Sequence, residues 1–210
     1  MSNTTYPYEG SAREYVERFI APGVKSVLDV GCGYGDFGAY LKRARPGIEV
    51  WGLDASPAVA ERASERLDRF VLGTFPSDAP TRRFDCITFN DTIEHFPDPW
   101  DALYRARTLL EPGGEVVASI PNVRHYSVIR PLFFNGRWTY RDAGIMDRTH
   151  LRFFTRRSAI DLFEQAGYQV LGVAPVNVDS RGRAIQLLAL LGPATIEFRA
   201  TQYLFRAQPH

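Results

Sequence analysis

The stretch Val27–Gly38, VLDVGCGYGDFG, runs from an apolar, β-branched segment through closely spaced glycines into a segment of helical period. A strand that feeds a helix through such a turn leaves backbone amides at the helix N-terminus facing a ligand, with no Cβ in the way. Gly33, Gly35 and Gly38 satisfy G-x-G-x-x-G, a spacing that is common and weak by itself. A tight turn without a ligand accounts for one or two glycines, but hardly for the four present between residues 31 and 38.

Outward from this turn, β-branched runs alternate with helical segments, the sequence form of an α/β domain with a parallel sheet. Strands are expected at 25–30, 49–54, 69–73, 84–89 and 114–120, and helices at 11–20, 35–45, 57–66 and 98–110. Past a long irregular stretch the pattern resumes with a helix over 155–167 and a strand over 168–176. An apolar helix over 182–192 and a last strand over 201–208 complete it. The 210 residues are enough for one substantial core, so the chain is read as a single domain, 1–210.

Arginine and lysine exceed aspartate and glutamate by one charge, which gives no global basic field and makes a long nucleic acid an unexpected partner. No signal-like start and no apolar run of about 18 residues is present, so a cytoplasmic location without a membrane span is expected. Cys32 and Cys86 lack the spacing of a disulfide framework or zinc site and read as reduced packing residues.

Two carboxylates suggest the ligand. Asp29, two residues before Gly31, would repel a dinucleotide pyrophosphate but suits the ammonium and sulfonium of S-adenosylmethionine. Asp54 ends the second strand, about 20 residues on, where an acid grips ribose hydroxyls. The alternative for Asp54, capping the helix that starts at Pro57, fits Ser56 better.

With these residues in place, VLDVGCGYG, WGLDAS, FDCITFNDTIEHFPDPWDAL and LLEPGGEVVASIPN resemble, in order and spacing, the motifs of class I S-adenosylmethionine-dependent methyltransferases. The resemblance implies a Rossmann-like fold: a seven-stranded, mostly parallel sheet of order 3-2-1-4-5-7-6 with helices on both faces. By it, Asp29, Gly31, Gly33 and Gly35 hold the methionine part of the cofactor and Asp54 the ribose. Ala55 and Asn90 are expected at the same site. Where many relatives carry an acid after the third strand this chain has Thr74 and Phe75, so Phe75 is expected to stack on adenine.

Behind the fourth strand, NDTIEH supplies Asp91, Glu94 and His95, at the edge that abuts the transferred methyl in this fold. Three roles stay open. His95 or Asp91 acts as a general base; the cluster binds Mg2+ or another divalent cation; or Glu94 and His95 simply hold the loop. The segment resembles the E-x-x-E-H of ubiquinone-pathway O-methyltransferases and small-RNA terminal 2′-O-methyltransferases, which implies a metal set of Asp91, Glu94, His95 and, from DRTHLRFF, His150. His95, His150 and Asp91 are thus the catalytic candidates.

Residues 122–154 are rich in arginine and aromatics and read as an acceptor-binding lid inserted after the fifth strand. Residues 119–168 resemble small bacterial methyltransferases associated with glycosyltransferases of surface-polysaccharide synthesis, which implies O-methylation of a sugar or glycan and a glycosyltransferase partner. Tyr126, Trp138 and Tyr140 offer flat faces for a ring, and Arg124, Arg130, Arg137, Arg141 and Arg148 suit phosphate or carboxylate. His125 faces either the acceptor or solvent. Phe133, Phe134, Phe153 and Phe154 are read as the lid's own core. Other readings are a methyltransferase of a small-molecule or peptide natural product or of an RNA end, and a non-catalytic partner of a glycosyltransferase. The apolar helix over 182–192 would pack on the sheet, form an oligomer seam or dock elsewhere.

Overall fold

The computed structural model describes residues 13–180, 185, 186, 190 and 192–210. Seven strands form one sheet: β1 (Ser26–Val30), β2 (Glu49–Asp54), β3 (Arg69–Leu72), β4 (Phe84–Asn90), β5 (Leu110–Pro121), β6 (Tyr168–Val178) and β7 (Ala200–Pro209). Their order is β3-β2-β1-β4-β5-β7-β6, with β7 antiparallel to both neighbours and the remaining pairs parallel, as the motif order implied. Every residue of β1 is buried, because both faces of a parallel sheet are covered.

Alternate β1 side chains feed two cores. Leu28 and Val30 join Phe84, Ile87 and Phe89 beneath α4 (Pro99–Thr108) and α6 (Arg156–Gln165), which contribute Leu103 and Phe163. Val27 joins Cys86 and Val50 on the other face, against α1 (Glu14–Glu17), α2 (Asp36–Ala44) and α3 (Ala60–Arg66), through Val16, Phe37, Leu41 and Ala63. Both cysteines are buried and free.

Local chemistry sets the helix starts. Asp98 accepts the Asp101 amide hydrogen before Pro99 opens α4, and Thr155 and Ser158 cap α6 reciprocally. Three boundaries differ from expectation. The N-terminal helix is one turn, residues 11 and 12 lying outside those described; the helix at Pro57 opens with a 3-10 turn over Pro57–Val59; and EPGG is a bulge inside β5. The bulge arises because Phe84 pairs with Leu110 but Cys86 with Glu115, and Gly113 turns the surplus residues at φ +80°. The expected apolar helix over 182–192 falls largely outside the described residues.

The insertion over 122–154 contains a helix that its composition hid, α5 (Tyr126–Asn135), with Pro131 inside it and Gly136 ending it in the left-handed region. His125 caps its start by accepting the Ser127 amide hydrogen at Nδ1. Among the described residues no helix is long and apolar enough to cross a membrane.

Candidate active site

The C-terminal ends of β1, β2 and β4 open on a cavity of about 790 Å3. Gly31, Gly33 and Gly35 have φ of +73°, +53° and +73°, and a Cβ on Gly31 would lie 2.6 Å from Thr92 Oγ1. Only glycine lets this turn pass beneath the loop after β4. Gly31 and Gly33 line the cavity; Gly35 does not, standing instead at the N-cap of α2 against Leu67.

Asp54 closes the turn from the neighbouring strand, Oδ2 accepting from the Gly33 amide and Oδ1 from the Ser56 amide, each at 2.9 Å. Ser56 itself makes no side-chain cap. Both Asp54 oxygens therefore arrive pre-positioned at the cavity wall, with lone pairs to spare for ribose hydroxyls. Asp29 is 1% exposed and accepts from Thr88 Oγ1 at 2.7 Å and Asn90 Nδ2 at 3.0 Å. Burial pushes its carboxyl up to about 6, against the opposing pull of those donors and of Arg13. Asn90 Oδ1 is buried without a partner. An acceptor left open beside a reluctant carboxylate is what an incoming ammonium would satisfy, so the donor set fits S-adenosylmethionine.

Ala55 and Phe75 also line this cavity. Phe75 is only 7% exposed, with its ring in edge contact with Phe89 and Phe96, so it forms wall more than free stacking platform. The acid missing after β3 appears as Asp78, which is spent on the Thr74 amide and hydroxyl.

NDTIEH forms the wall between this cavity and a second one of about 360 Å3. Asp91 lines both, at the left-handed φ of +51°. Its carboxylate is fully engaged: Oδ1 accepts from Ser119 Oγ and Gln202 Nε2, each at 2.9 Å, and Oδ2 pairs with Arg13 at 3.1 Å. That occupancy removes Asp91 from the expected metal set and leaves it poorly placed as a base. Glu94, His95 and His150 do come together, one ligand atom from each lying within 4.8 Å of the others.

Glu94 is 1% exposed with both carboxylate oxygens lacking a hydrogen-bond partner, and burial, then Asp91, raises its carboxyl well above the usual range. His150 Nε2 is 3.8 Å from Glu94 Oε1. Burial, then the neighbouring His95, lowers the His150 pKa, keeping that ring neutral. His95 Nδ1 is 3.1 Å from the Thr149 carbonyl and His150 Nδ1 3.1 Å from the Ile145 carbonyl. A carbonyl only accepts, so each ring carries its proton on Nδ1 and presents a free Nε2 lone pair. His95 lines the larger cavity and His150 the smaller. The Glu94 carbonyl accepts from both Leu151 and Arg152 amides, pinning the insertion to this turn.

The remaining candidates scatter. Arg148 lines the larger cavity, paired with Asp142 at 2.7 Å. His125 lines the smaller one, buried, Nδ1 against Ser127 Oγ and Nε2 3.3 Å from Asp179 Oδ2. Arg124 and Tyr126 line neither: Arg124 is bound to Glu197 and lies over Phe198, while Tyr126 rests on the His125 ring. Arg130, Arg137 and Arg141 are likewise absent from both walls. Three site residues escaped the sequence reading. Arg13, Ser119 and Gln202 converge on Asp91 from distant parts of the chain, with no local motif to announce them.

Residues 7–173 match a family of methyltransferase domains, and the chain belongs to that family. The methyl donor of the class is S-adenosylmethionine. The chain is 35% identical over 113 residues to a trans-aconitate 2-methyltransferase of Methylobacterium radiotolerans, a match covering 53% of this chain and 44% of that protein. It is 35% identical over 106 residues to a ubiquinone biosynthesis O-methyltransferase of Alkalilimnicola ehrlichii, covering 47% and 42% respectively. These matched portions are less than half the length of either curated relative. In fold it is similar to a S-adenosylmethionine-dependent methyltransferase from Archaeoglobus fulgidus (TM-score 0.62, 19% identity, 93% of this chain and 90% of that one). The CcbJ methyltransferase of Streptomyces caelestis is also similar (TM-score 0.63, 17% identity, 93% and 94%).

Proposed function

We propose that this chain transfers the methyl group of S-adenosylmethionine to a hydroxyl of a small, polar acceptor, a sugar ring or the glycosyl unit of a nucleotide sugar being the best fit. The observation that carries the reading is the Glu94 carboxylate, buried and without a hydrogen-bond donor, beside the free Nε2 of His150 on the wall between the two cavities. Bound in the larger cavity, the cofactor supplies an electrophilic methyl on a sulfonium. Asp29 and Asn90 receive its ammonium and Asp54 its ribose hydroxyls. The smaller cavity holds the acceptor; its volume suits one ring, and its Glu94, His150, Thr201 and Gln202 suit hydroxyls better than a polycarboxylate. His150, neutral with its Nε2 lone pair free, takes the hydroxyl proton, and the Glu94 carboxyl beside it positions that ring. Within the insertion 122–154, His125, Ser127, Gly144, Ile145 and His150 close over this pocket as its lid, and a glycosyltransferase is the partner that would supply or consume such a glycan.

Glu94, His95 and His150 would also hold a divalent cation, the specific support being the two Nε2 lone pairs fixed by backbone carbonyls beside the Glu94 carboxylate. Such an ion would lower the pKa of an acceptor hydroxyl.

Labelled S-adenosylmethionine incubated with monosaccharides, nucleotide sugars, trans-aconitate and a simple phenol tests the acceptor; label on a sugar is expected, and label only on the acid or phenol overturns it. Glu94→Gln keeps shape but removes the ionisable carboxyl beside His150, and should lower kcat on the order of a hundredfold with cofactor binding intact. Full activity in that variant would remove the central role given to Glu94. Activity that falls with a chelator and returns with Mg2+ or Mn2+ is the outcome expected of the cation site; indifference to the chelator assigns proton removal to His150, positioned by Glu94, alone.

A further inference from the structure

Expected to fill a lid core, Phe133 and Phe134 stand in solvent instead, 79% and 75% exposed, their rings in edge contact with each other at 5.0 Å. They sit at the end of α5, and every residue from 132 to 144 is exposed. Leu132, Trp138 and Tyr140 add to the patch, the last two braced on Phe153. An exposed apolar tip of this kind marks an interaction surface.

Its charge says what kind. Residues 122–141 contain four arginines and no aspartate or glutamate, in a chain whose total charge is close to balanced. Arg124 is neutralised by Glu197, but among the described residues no ion pair neutralises Arg130, Arg137 or Arg141. None of residues 130–141 lines either cavity, so the patch is separate from the site described above.

We propose that the tip of α5 and the loop after it form a docking surface for an anionic lipid bilayer. Phe133 and Phe134 enter the boundary between headgroups and acyl chains, Trp138 and Tyr140 lie at headgroup level, and Arg130, Arg137 and Arg141 meet lipid phosphates. The tip is anchored for this by the buried Val128 and the capping His125 at the other end of the helix. A second copy is a poor occupant, because a two-fold contact would set the unpaired arginines of one patch against those of the other. The proposal does not depend on which acceptor the enzyme methylates.

The test is flotation of the full chain with vesicles of phosphatidylcholine and phosphatidylglycerol in equal parts, and with phosphatidylcholine alone. Binding is expected to the anionic vesicles, weakening as salt rises. Arg130→Gln with Arg137→Gln should weaken it by about tenfold or more. Phe133→Ser with Phe134→Ser should abolish it while leaving S-adenosylhomocysteine affinity by calorimetry unchanged, which shows that the variant is folded. Absence of wild-type binding, equal binding to both vesicle types, or binding undiminished in both double variants overturns the proposal. So does a wild-type dimer in light scattering that the phenylalanine variant dissolves, which would assign the patch to a second copy, and so does capture by an acidic protein surface without vesicle binding.

Discussion

Asp29 is a buried carboxyl at the floor of the cofactor cavity, and burial pushes its pKa up to about 6. The folded chain keeps the Asp29 proton more tightly than the unfolded chain does, so this group favours folding at acid pH and the contribution is lost as pH rises through about 6. Ligand binding has the opposite sign, because a cationic group prefers the ionised form. S-adenosylhomocysteine affinity should therefore fall about tenfold between pH 7 and pH 5; calorimetry in buffers of different ionisation enthalpy should detect the released proton, and a flat affinity profile would separate Asp29 from the ligand's ammonium. Asp54 carries the other half of the cofactor site. Asp54→Ala strips acceptors from two backbone amides and from the ribose, and should weaken S-adenosylhomocysteine at least about a hundredfold in the same titration.

At the scale of the element, the glycine turn is the most constrained piece of backbone. Gly31→Ala must adopt φ +73° and push a Cβ toward the Thr92 side chain, which should cost about 1–3 kcal/mol in urea denaturation. This turn, and the strands that feed it, were legible in the sequence because their signals are local: β-branched runs, glycines, and acids at strand ends. Helix α5 was not, since an interior Pro131 argues against a helix and the aromatic run obscures the 3.6 period. Adjacency in sequence announced Glu94 and His95, and the resemblance supplied His150. The Arg13–Asp91–Gln202 cluster joins residues 78 and 111 positions apart, a proximity that only the folded sheet creates. Phe133 and Phe134 show the limit from the other side: hydrophobic composition alone does not tell a buried ring from an exposed one.

For the molecule as a whole, the cofactor site draws on β1, β2 and β4 together, so a ligand there should stabilise the sheet as a unit. S-adenosylhomocysteine at a hundred times its dissociation constant should add about 2.7 kcal/mol, which for a chain of this size raises Tm by roughly 5–10 °C in a thermal scan. An unchanged Tm would mean that the ligand does not bind the folded chain.

The same sheet constrains how the chain can be made. β6 touches the rest of the sheet through β7 alone, yet β7 follows it in the chain by more than twenty residues and is the strand wedged between β5 and β6. During synthesis β3, β2, β1, β4 and β5 can assemble as each emerges, while β6 must wait, edge bare, for a partner not yet translated. When β7 finally inserts, it joins β6 to its neighbours and in the same event delivers Gln202 to Asp91. A nascent chain halted before residue 200 would thus hold a formed cofactor turn and an unfinished acceptor wall.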